Sequence, residues 1–187
     1  MSKKFLLLSF ILLLSSCIET VTVATFGTGY LLSREKTVKE TVLDSAILAQ
    51  VSKTLLSNNR DQKFAEINVS VYGGRVLLVG YSQSRDHVQE AIKLIWKIKN
   101  VTEVINEVSL AEIEKGHKRL FDFFLITRIK TKIAFDKDLK AKDINISIYN
   151  GNIYILGHAK DDETVQAIAK LSSAIRGVKQ VVSHIKS

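Results

Sequence analysis

The chain has 187 residues, a single cysteine, no proline and a formal net charge of +8 at pH 7. One cysteine excludes an intramolecular disulfide framework and a thiolate metal site, and the length suits one large or two small domains. The basic excess lies at the C-terminal end, since residues 116–187 hold 13 Lys and Arg against 7 Asp and Glu, whereas residues 39–115 hold 10 of each.

The first residues follow the pattern of a lipoprotein signal peptide. A short basic start precedes an apolar run at residues 5–14, which is shorter than the roughly 20 residues needed to span a bilayer. The run ends in Leu-Ser-Ser-Cys at Cys17, which resembles the lipobox where bacterial lipoproteins are cleaved and acylated. We therefore expect a signal peptide at residues 1–16, lipidation of Cys17 and a tether at residues 17–38. An ordinary secretory signal with a chance cysteine is the alternative.

The rest of the chain contains an internal duplication. Residues 67–80 recur as residues 144–157, and matches continue without a gap as far as Val104 and Val181, an offset of 77. Upstream of residue 67 the offset becomes 78. A repeat of about 70 residues indicates two copies of one structural module. We predict a first domain at residues 39–111 and a second at residues 117–187.

Each copy has the pattern of the same five elements. The opening helix is indicated by apolar residues at helical spacing, which are Ile47, Leu48, Val51 and Leu55 in the first copy and Leu125, Ile126, Ile129 and Ile133 in the second. An alternating strand leads to a tight turn at residues 73–74 or 150–151, where Gly-Gly and Asn-Gly tolerate positive φ. The next strand is apolar throughout, which predicts a central position. A second helix and a last strand complete an α+β fold, αββαβ, with a three-stranded mixed sheet covered by two helices.

This element order and its strand-Gly-strand-Gly centre resemble the BON domain, a family of small αββαβ modules found in bacterial envelope proteins. The resemblance is carried by residues 67–70, 76–80 and 177–181. A lipobox followed by a short linker and two such modules is similar to the dual-BON lipoproteins of the outer membrane. The resemblance implies a lipid-anchored protein that faces the periplasm from the outer membrane. It also implies binding of anionic phospholipids, such as phosphatidylglycerol and cardiolipin, chiefly through the first helix of the second domain.

That helix carries the candidate lipid-binding residues. If Ile126, Ile129 and Ile133 face the core, an aromatic ring and several cations project to the opposite side. Apolar rings can enter the acyl boundary of a bilayer while Lys and Arg meet phosphates. The candidate residues are Phe121, Phe124, Arg128, Lys130 and Lys132, with Lys137, Lys140 and Lys142 as an extension of the basic patch. By the resemblance, a Trp and a basic residue of a relative align with Phe124 and Arg128. In the first copy, Gln50 and Thr54 replace the cations, and Asp44 and Ser45 replace the aromatic residues.

Two alternatives remain open at this level. The rings at residues 121–124 could pack against the first domain instead of meeting lipid, and the protein could be a scaffold that docks a partner in envelope assembly or cell-wall remodelling. Nucleic acid is not an expected partner, because an exported, membrane-tethered protein rarely meets it. The sequence offers no metal-ligand spacing, no Ser/His/Asp set and no phosphate-binding glycine loop. We therefore expect no metal, no cofactor and no catalytic residue.

Overall fold

The computed structural model describes residues 38–110, 117–136, 144–159 and 161–186. These residues belong to one compact unit, Glu35–Ser187. The predicted signal peptide, Cys17, most of the tether, and Lys137, Lys140 and Lys142 lie outside the described residues. Among the helices that the structure describes, none has the length and hydropathy that a membrane span requires.

The predicted order of elements occurs twice. The first domain consists of α1 (Val38–Ser57), β1 (Ile67–Tyr72), β2 (Arg75–Tyr81), α2 (Arg85–Ile95) and β3 (Glu103–Ser109), with a 3₁₀ turn at Arg60–Gln62 after α1. The second consists of α3 (His117–Phe135), β4 (Ile144–Tyr149), β5 (Asn152–His158), α4 (Asp162–Ser173) and β6 (Gln180–Lys186). In each sheet the central strand, β2 or β5, is antiparallel to the strand before it and parallel to the strand after it. The predicted α+β fold with two mixed three-stranded sheets is confirmed.

A buried aspartate on the opening helix holds each hairpin turn. The turn residues have positive φ in both copies, +58° and +75° at residues 73–74 and +53° and +77° at residues 150–151, as the Gly-Gly and Asn-Gly pairs predict. The carboxylate of Asp44 accepts hydrogen bonds from both backbone N–H groups of the first turn, at 2.7 and 2.9 Å. Asp122 does the same for the second turn, at 2.6 and 2.8 Å. Helix and hairpin are thereby fastened together by charge-assisted hydrogen bonds.

This pairing corrects the alignment of the two opening helices. With the offset of 78, Asp44 is the counterpart of Asp122, so it does not stand in place of an aromatic residue. Both aspartates are buried at equivalent positions, and both accept hydrogen bonds from the backbone N–H groups of the hairpin turn. The residues of the first copy that correspond to Phe121 and Phe124 are Leu43 and Ala46.

Each pair of helices covers one face of its own sheet with an apolar core. The buried residues of the first core are Ile47, Val51, Leu55, Phe64, Ile67, Val71, Val76, Leu78, Ala91 and Ile95. Those of the second core are Leu125, Ile129, Ile133, Ile153, Ile155, Ile168 and Ile175. The buried apolar residues of the two opening helices occupy equivalent positions at the offset of 78. Leu48 and Ile126, which the sequence pattern assigned to the core face, lie at its margin, because Leu48 is exposed and Ile126 is only half-buried.

The other faces of the two sheets pack against each other. A third cluster contains Leu77, Val79, Tyr154 and Leu156, surrounded by Tyr72, Ile105, Tyr149 and Val182. β1 contacts both β4 and β5, and β2 contacts β4. The domains therefore form four layers, helices on sheet on sheet on helices. This arrangement explains why β2 and β5 are apolar throughout, since one face of each strand meets the helices and the other meets the second sheet.

The sheet interface joins equivalent positions of the duplicated sequence. The hydroxyl oxygens of Ser70 and Ser147, which correspond at the offset of 77, lie 2.7 Å apart. Glu107 and His184 also correspond, and their Oε1 and Nε2 atoms lie 2.9 Å apart. Every member of the third cluster has its own counterpart in that cluster. Contacts between a residue and its own counterpart are what a two-fold relation between two copies produces.

An ion cluster at one edge of this interface gives stability a dependence on pH. Arg75 donates from Nε to Glu103 Oε2 at 2.7 Å and from Nη1 to the His184 carbonyl at 2.7 Å, while Lys186 Nζ lies 3.1 Å from the same carboxylate. The hydrogen bond from Arg75, and then that from Lys186, lowers the pKa of Glu103. The charged carboxylate thus stabilises the fold above the ordinary Glu pKa of about 4.3. That stabilisation is lost as the pH falls through the lowered value.

We expect Glu103→Gln to flatten the pH dependence of unfolding below about pH 5. The effect should be at most about 1 kcal/mol, because the Glu103 side chain is partly exposed and solvent screens the pair. Urea unfolding of residues 35–187 at pH 7 and at pH 3 measures the difference. Identical pH dependence in the variant and the parent would show that Glu103 does not contribute to the pH dependence of stability.

Candidate functional site

The candidate site lies on α3, the opening helix of the second domain. Leu125, Ile129 and Ile133 are buried against the sheet, and Asp122 is fixed to the hairpin turn. These contacts determine the rotation of the helix about its axis. The opposite side of α3 therefore faces outward, away from the sheet and from the first domain behind it.

Aromatic side chains are exposed near the start of α3. The rings of Phe123 and Phe124 are each 63% exposed and meet edge to face, with centroids 6.1 Å apart. They are not buried against the first domain, so interdomain packing does not account for them. Phe121 is 48% exposed, and its ring rests on Gly177, where a Cβ would overlap it. Gly177 also has φ of +103°, a conformation that side-chain-bearing residues rarely adopt. The absence of a side chain at Gly177 therefore makes room for the Phe121 ring.

Two of the predicted cations share the side of the rings. Arg128 and Lys132 are exposed one turn and two turns after Phe124. Lys130 is also exposed, but at about 100° per residue it projects about 160° around the helix from Arg128. The structure therefore brings together four of the five candidate residues and sets Lys130 apart. None of these three cations forms an ion pair within the described part of the chain.

The sequence analysis missed Phe135 at the other end of the helix. Phe135 is 81% exposed. It follows Phe124 by 11 residues, which is close to three complete turns, so both rings lie on the same side. The spacing of 11 residues from Phe124 could have identified Phe135 from the sequence. We call this set the α3 face, and it consists of Phe121, Phe124, Arg128, Lys132 and Phe135.

A groove runs beside the α3 face. Its volume is about 360 Å³, and its lining residues are Thr127, Arg128, Thr131 and Lys132 from α3 and Ala174, Ile175 and Arg176 from the segment after α4. Arg176 was also missed, because it lies 48 residues from Arg128 in sequence and only the packing of α4 brings it close. Although three cationic and two threonine side chains contribute to its lining, the surface exposed in the groove is almost entirely apolar.

The arrangement suits a ligand that combines negative charge with apolar chains. The exposed rings can enter an apolar layer, whereas Arg and Lys side chains bind phosphate or carboxylate oxygens through charge-assisted hydrogen bonds. No group of His, Cys, Asp and Glu side chains in the described residues has the geometry of a metal site.

Both domains match a known family, and the chain as a whole is similar to several known proteins. The BON domain family model matches residues 44–112 and 122–187. The chain is 27% identical over 192 residues to the outer membrane lipoprotein DolP of Haemophilus influenzae, covering 100% of this chain and 96% of that protein. It is 30% identical over 144 residues to an uncharacterized protein in the gshII 5′ region of Anaplasma centrale, covering 76% and 93%. It is 27% identical over 142 residues to a 21 kDa hemolysin of Actinobacillus pleuropneumoniae, covering 76% and 73%.

Proposed function

The chain belongs to the BON domain family, and on that basis we propose that it is a lipid-anchored, non-enzymatic protein of the bacterial envelope. Acyl groups on Cys17 hold it at the periplasmic side of the outer membrane. The α3 face of its second domain binds anionic phospholipids, and this binding supports the integrity of the membrane.

The observation that carries this proposal is the composition of the α3 face. Exposed rings stand at both ends of the helix, and Arg128 and Lys132 lie between them. An interfacial helix combines apolar groups that enter the acyl boundary with cations at headgroup depth. Each cation near an anionic leaflet contributes about 1 kcal/mol. The full-length match to an outer membrane lipoprotein supports the proposed location and the anchor.

A charged residue in place of the most favourably placed ring should weaken membrane binding. We expect Phe124→Glu to lower the partition of residues 35–187 into vesicles of phosphatidylglycerol and phosphatidylcholine by tenfold to a hundredfold. The estimate follows from the roughly 1.5–3 kcal/mol gained by removing a Phe side chain from water. Vesicle sedimentation measures the partition.

Val42→Glu is the matched control for this experiment. Val42 is 62% exposed on α1, the equivalent helix of the first domain, so the variant has the same added charge on a different layer. Its partition should stay within about twofold of the parent, because α1 faces away from α3. An equal loss of vesicle binding in the two variants, or no loss in Phe124→Glu, would show that α3 does not bind lipid.

A second candidate function is that of a scaffold for an envelope protein partner. It is favoured by the exposed apolar side chains on the outer side of α1, where Val38, Val42 and Leu56 are more than half exposed. Val42→Glu tests this candidate in cells. A loss of envelope integrity in Val42→Glu with normal vesicle binding would favour the scaffold, and a loss confined to Phe124→Glu would favour lipid binding.

A further inference from the structure

The interface between the two sheets contains a pair of side chains whose mutual attraction depends on pH. His184 Nε2 of the second domain lies 2.9 Å from Glu107 Oε1 of the first. We propose that this interdomain pair controls separation of the domains, holding the sheets together when His184 is protonated and losing part of that attraction when it is neutral. This control acts at the sheet interface and is independent of lipid binding by α3.

Glu107 depends on His184 for a positive partner. β3 has two carboxylates, and their partners differ. Glu103 accepts a hydrogen bond from Arg75 Nε at 2.7 Å and lies 3.1 Å from Lys186 Nζ, so its two cations stay charged throughout the neutral pH range. Glu107 has no Lys or Arg partner within the described residues, and its contact is with His184. In that part of the chain, its charge is therefore paired only when the imidazole is protonated.

The interdomain pair lies where separation of the domains would break it. Glu107 and His184 are equivalent residues of the two copies, so their contact lies close to the two-fold axis that relates the domains. Their side chains are 28% and 21% exposed, so water screens the pair less than it screens a surface pair. The same interface buries Leu77, Val79 and Leu156. A change in the attraction therefore acts directly on the contact that shields these apolar side chains from water.

The cations near the interdomain pair oppose this attraction without cancelling it. Arg75 of β2 donates from Nη1 to the His184 carbonyl at 2.7 Å, and Lys186 follows two residues later on β6. Both repel a protonated imidazole. Both are also paired with Glu103, which offsets much of their charge. Because Glu107 is in direct contact with the imidazole, and Coulomb energy falls with distance, its attraction prevails.

Two further titratable side chains of β5 lie on the same face of the sheet. Tyr154 stays neutral in the neutral pH range, because burial, and then the negative charge of Glu107, raises its pKa. His158 is exposed at the end of β5, where its register partner is Lys186, whereas the register partner of His184 is Leu156. His158 therefore offers a control for protonation of a second histidine on this face.

The direction of the effect follows from the charge on the imidazole. A neutral imidazole can still form a hydrogen bond with Glu107, but only the imidazolium adds an attraction between opposite charges. A histidine ordinarily changes charge between about pH 5 and 8. The added attraction is therefore present at the acidic end of this range, and it is lost as the pH rises through it. Acidification thus favours the closed arrangement of the two sheets.

The test measures separation of the domains with a cysteine buried in the sheet interface. Residues 35–187 contain no cysteine, so a single one can be introduced. Val79 and Val76 lie on opposite faces of β2, Val79 in the cluster between the sheets and Val76 in the core beneath the helices. Labelling of Val79→Cys by a dipyridyl disulfide reports separation, and labelling of Val76→Cys reports unfolding of the first domain. Each rate is divided by that of the same variant in urea at the same pH, because the thiolate fraction rises with pH.

We expect the corrected labelling rate of Val79→Cys to rise about fivefold from pH 5.5 to pH 8. Val76→Cys should be labelled at least about tenfold more slowly at both pH values, and equal rates would overturn the proposal, because the sheets would then separate only on unfolding. Added to Val79→Cys, His184→Gln or Glu107→Gln should abolish the rise and leave labelling fast, whereas His184→Lys should leave it slow at both pH values. His158→Gln should preserve the rise. A rise that persists in His184→Gln or Glu107→Gln, or no rise in Val79→Cys alone, would also overturn the proposal.

Discussion

Reversing the charges of Arg128 and Lys132 together should weaken binding to anionic vesicles about a thousandfold. Each cation contributes about 1 kcal/mol near an anionic leaflet. A glutamate at the same place loses this attraction and adds a similar repulsion, so the pair of changes costs about 4 kcal/mol. Every 1.4 kcal/mol corresponds to a factor of ten. Sedimentation of residues 35–187 with vesicles of graded phosphatidylglycerol content measures the change, and the parent protein should also bind less at high salt.

The duplicated fold supplies a control with the same net charge. Lys53 on α1 and Lys97 after α2 belong to the first domain, whose helices face the opposite way from α3. Lys53→Glu with Lys97→Glu should change vesicle binding by no more than about threefold. Equal loss in the two double variants would show that total charge, and not the α3 face, determines binding.

The second large effect concerns stability. We expect Asp44→Ala and Asp122→Ala each to lower the free energy of unfolding by about 3 kcal/mol. Each change leaves two backbone N–H groups of a hairpin turn without their acceptor, and an unsatisfied buried donor costs about 1–3 kcal/mol. For a unit of this size the melting temperature should fall by roughly 6–12 °C. Urea unfolding and calorimetry of residues 35–187 measure both quantities.

Conservative variants distinguish the cost of losing the hydrogen bonds from the cost of losing side-chain volume. An asparagine retains one acceptor oxygen, so Asp44→Asn and Asp122→Asn should cost less than the alanine variants. Gln89→Ala, an exposed change on α2, should stay within about 0.5 kcal/mol of the parent. Losses below about 0.5 kcal/mol in both alanine variants would contradict the role assigned to these carboxylates.

Local chemistry made much of the fold predictable. Gly73-Gly74 and Asn150-Gly151 have strong turn preferences, and the positive φ values of the structure match them. The helices were indicated by apolar spacing and the central strands by their unbroken apolar runs. Repetition of each pattern in the second copy, at nearly constant offset, turned separate weak signals into one strong prediction.

Apart from Phe135, the features that were missed depend on contacts between distant segments. The unbroken apolar run of β2 required a partner on both faces, but nothing in the sequence identified the second sheet as that partner. The shared role of Asp44 and Asp122 was hidden by the change of offset from 77 to 78 between helix and strand. Arg176 enters the groove only because α4 packs beside α3. In the site itself, the pattern predicted the rings and the first cations, because they lie on one helix.

If Cys17 is acylated as proposed, the face-to-face packing of the sheets determines how far the tether must reach. Helices about 10–12 Å across and sheets about 10 Å apart give a body about 40 Å thick. If α3 rests on the lipid as proposed, α1 lies on the remote side, and the segment between Cys17 and Val38 must be long enough to span that thickness. Its 20 residues, 18–37, extend to at most about 66–72 Å. The tether is therefore long enough for the second domain to touch the leaflet while the first domain faces the aqueous compartment.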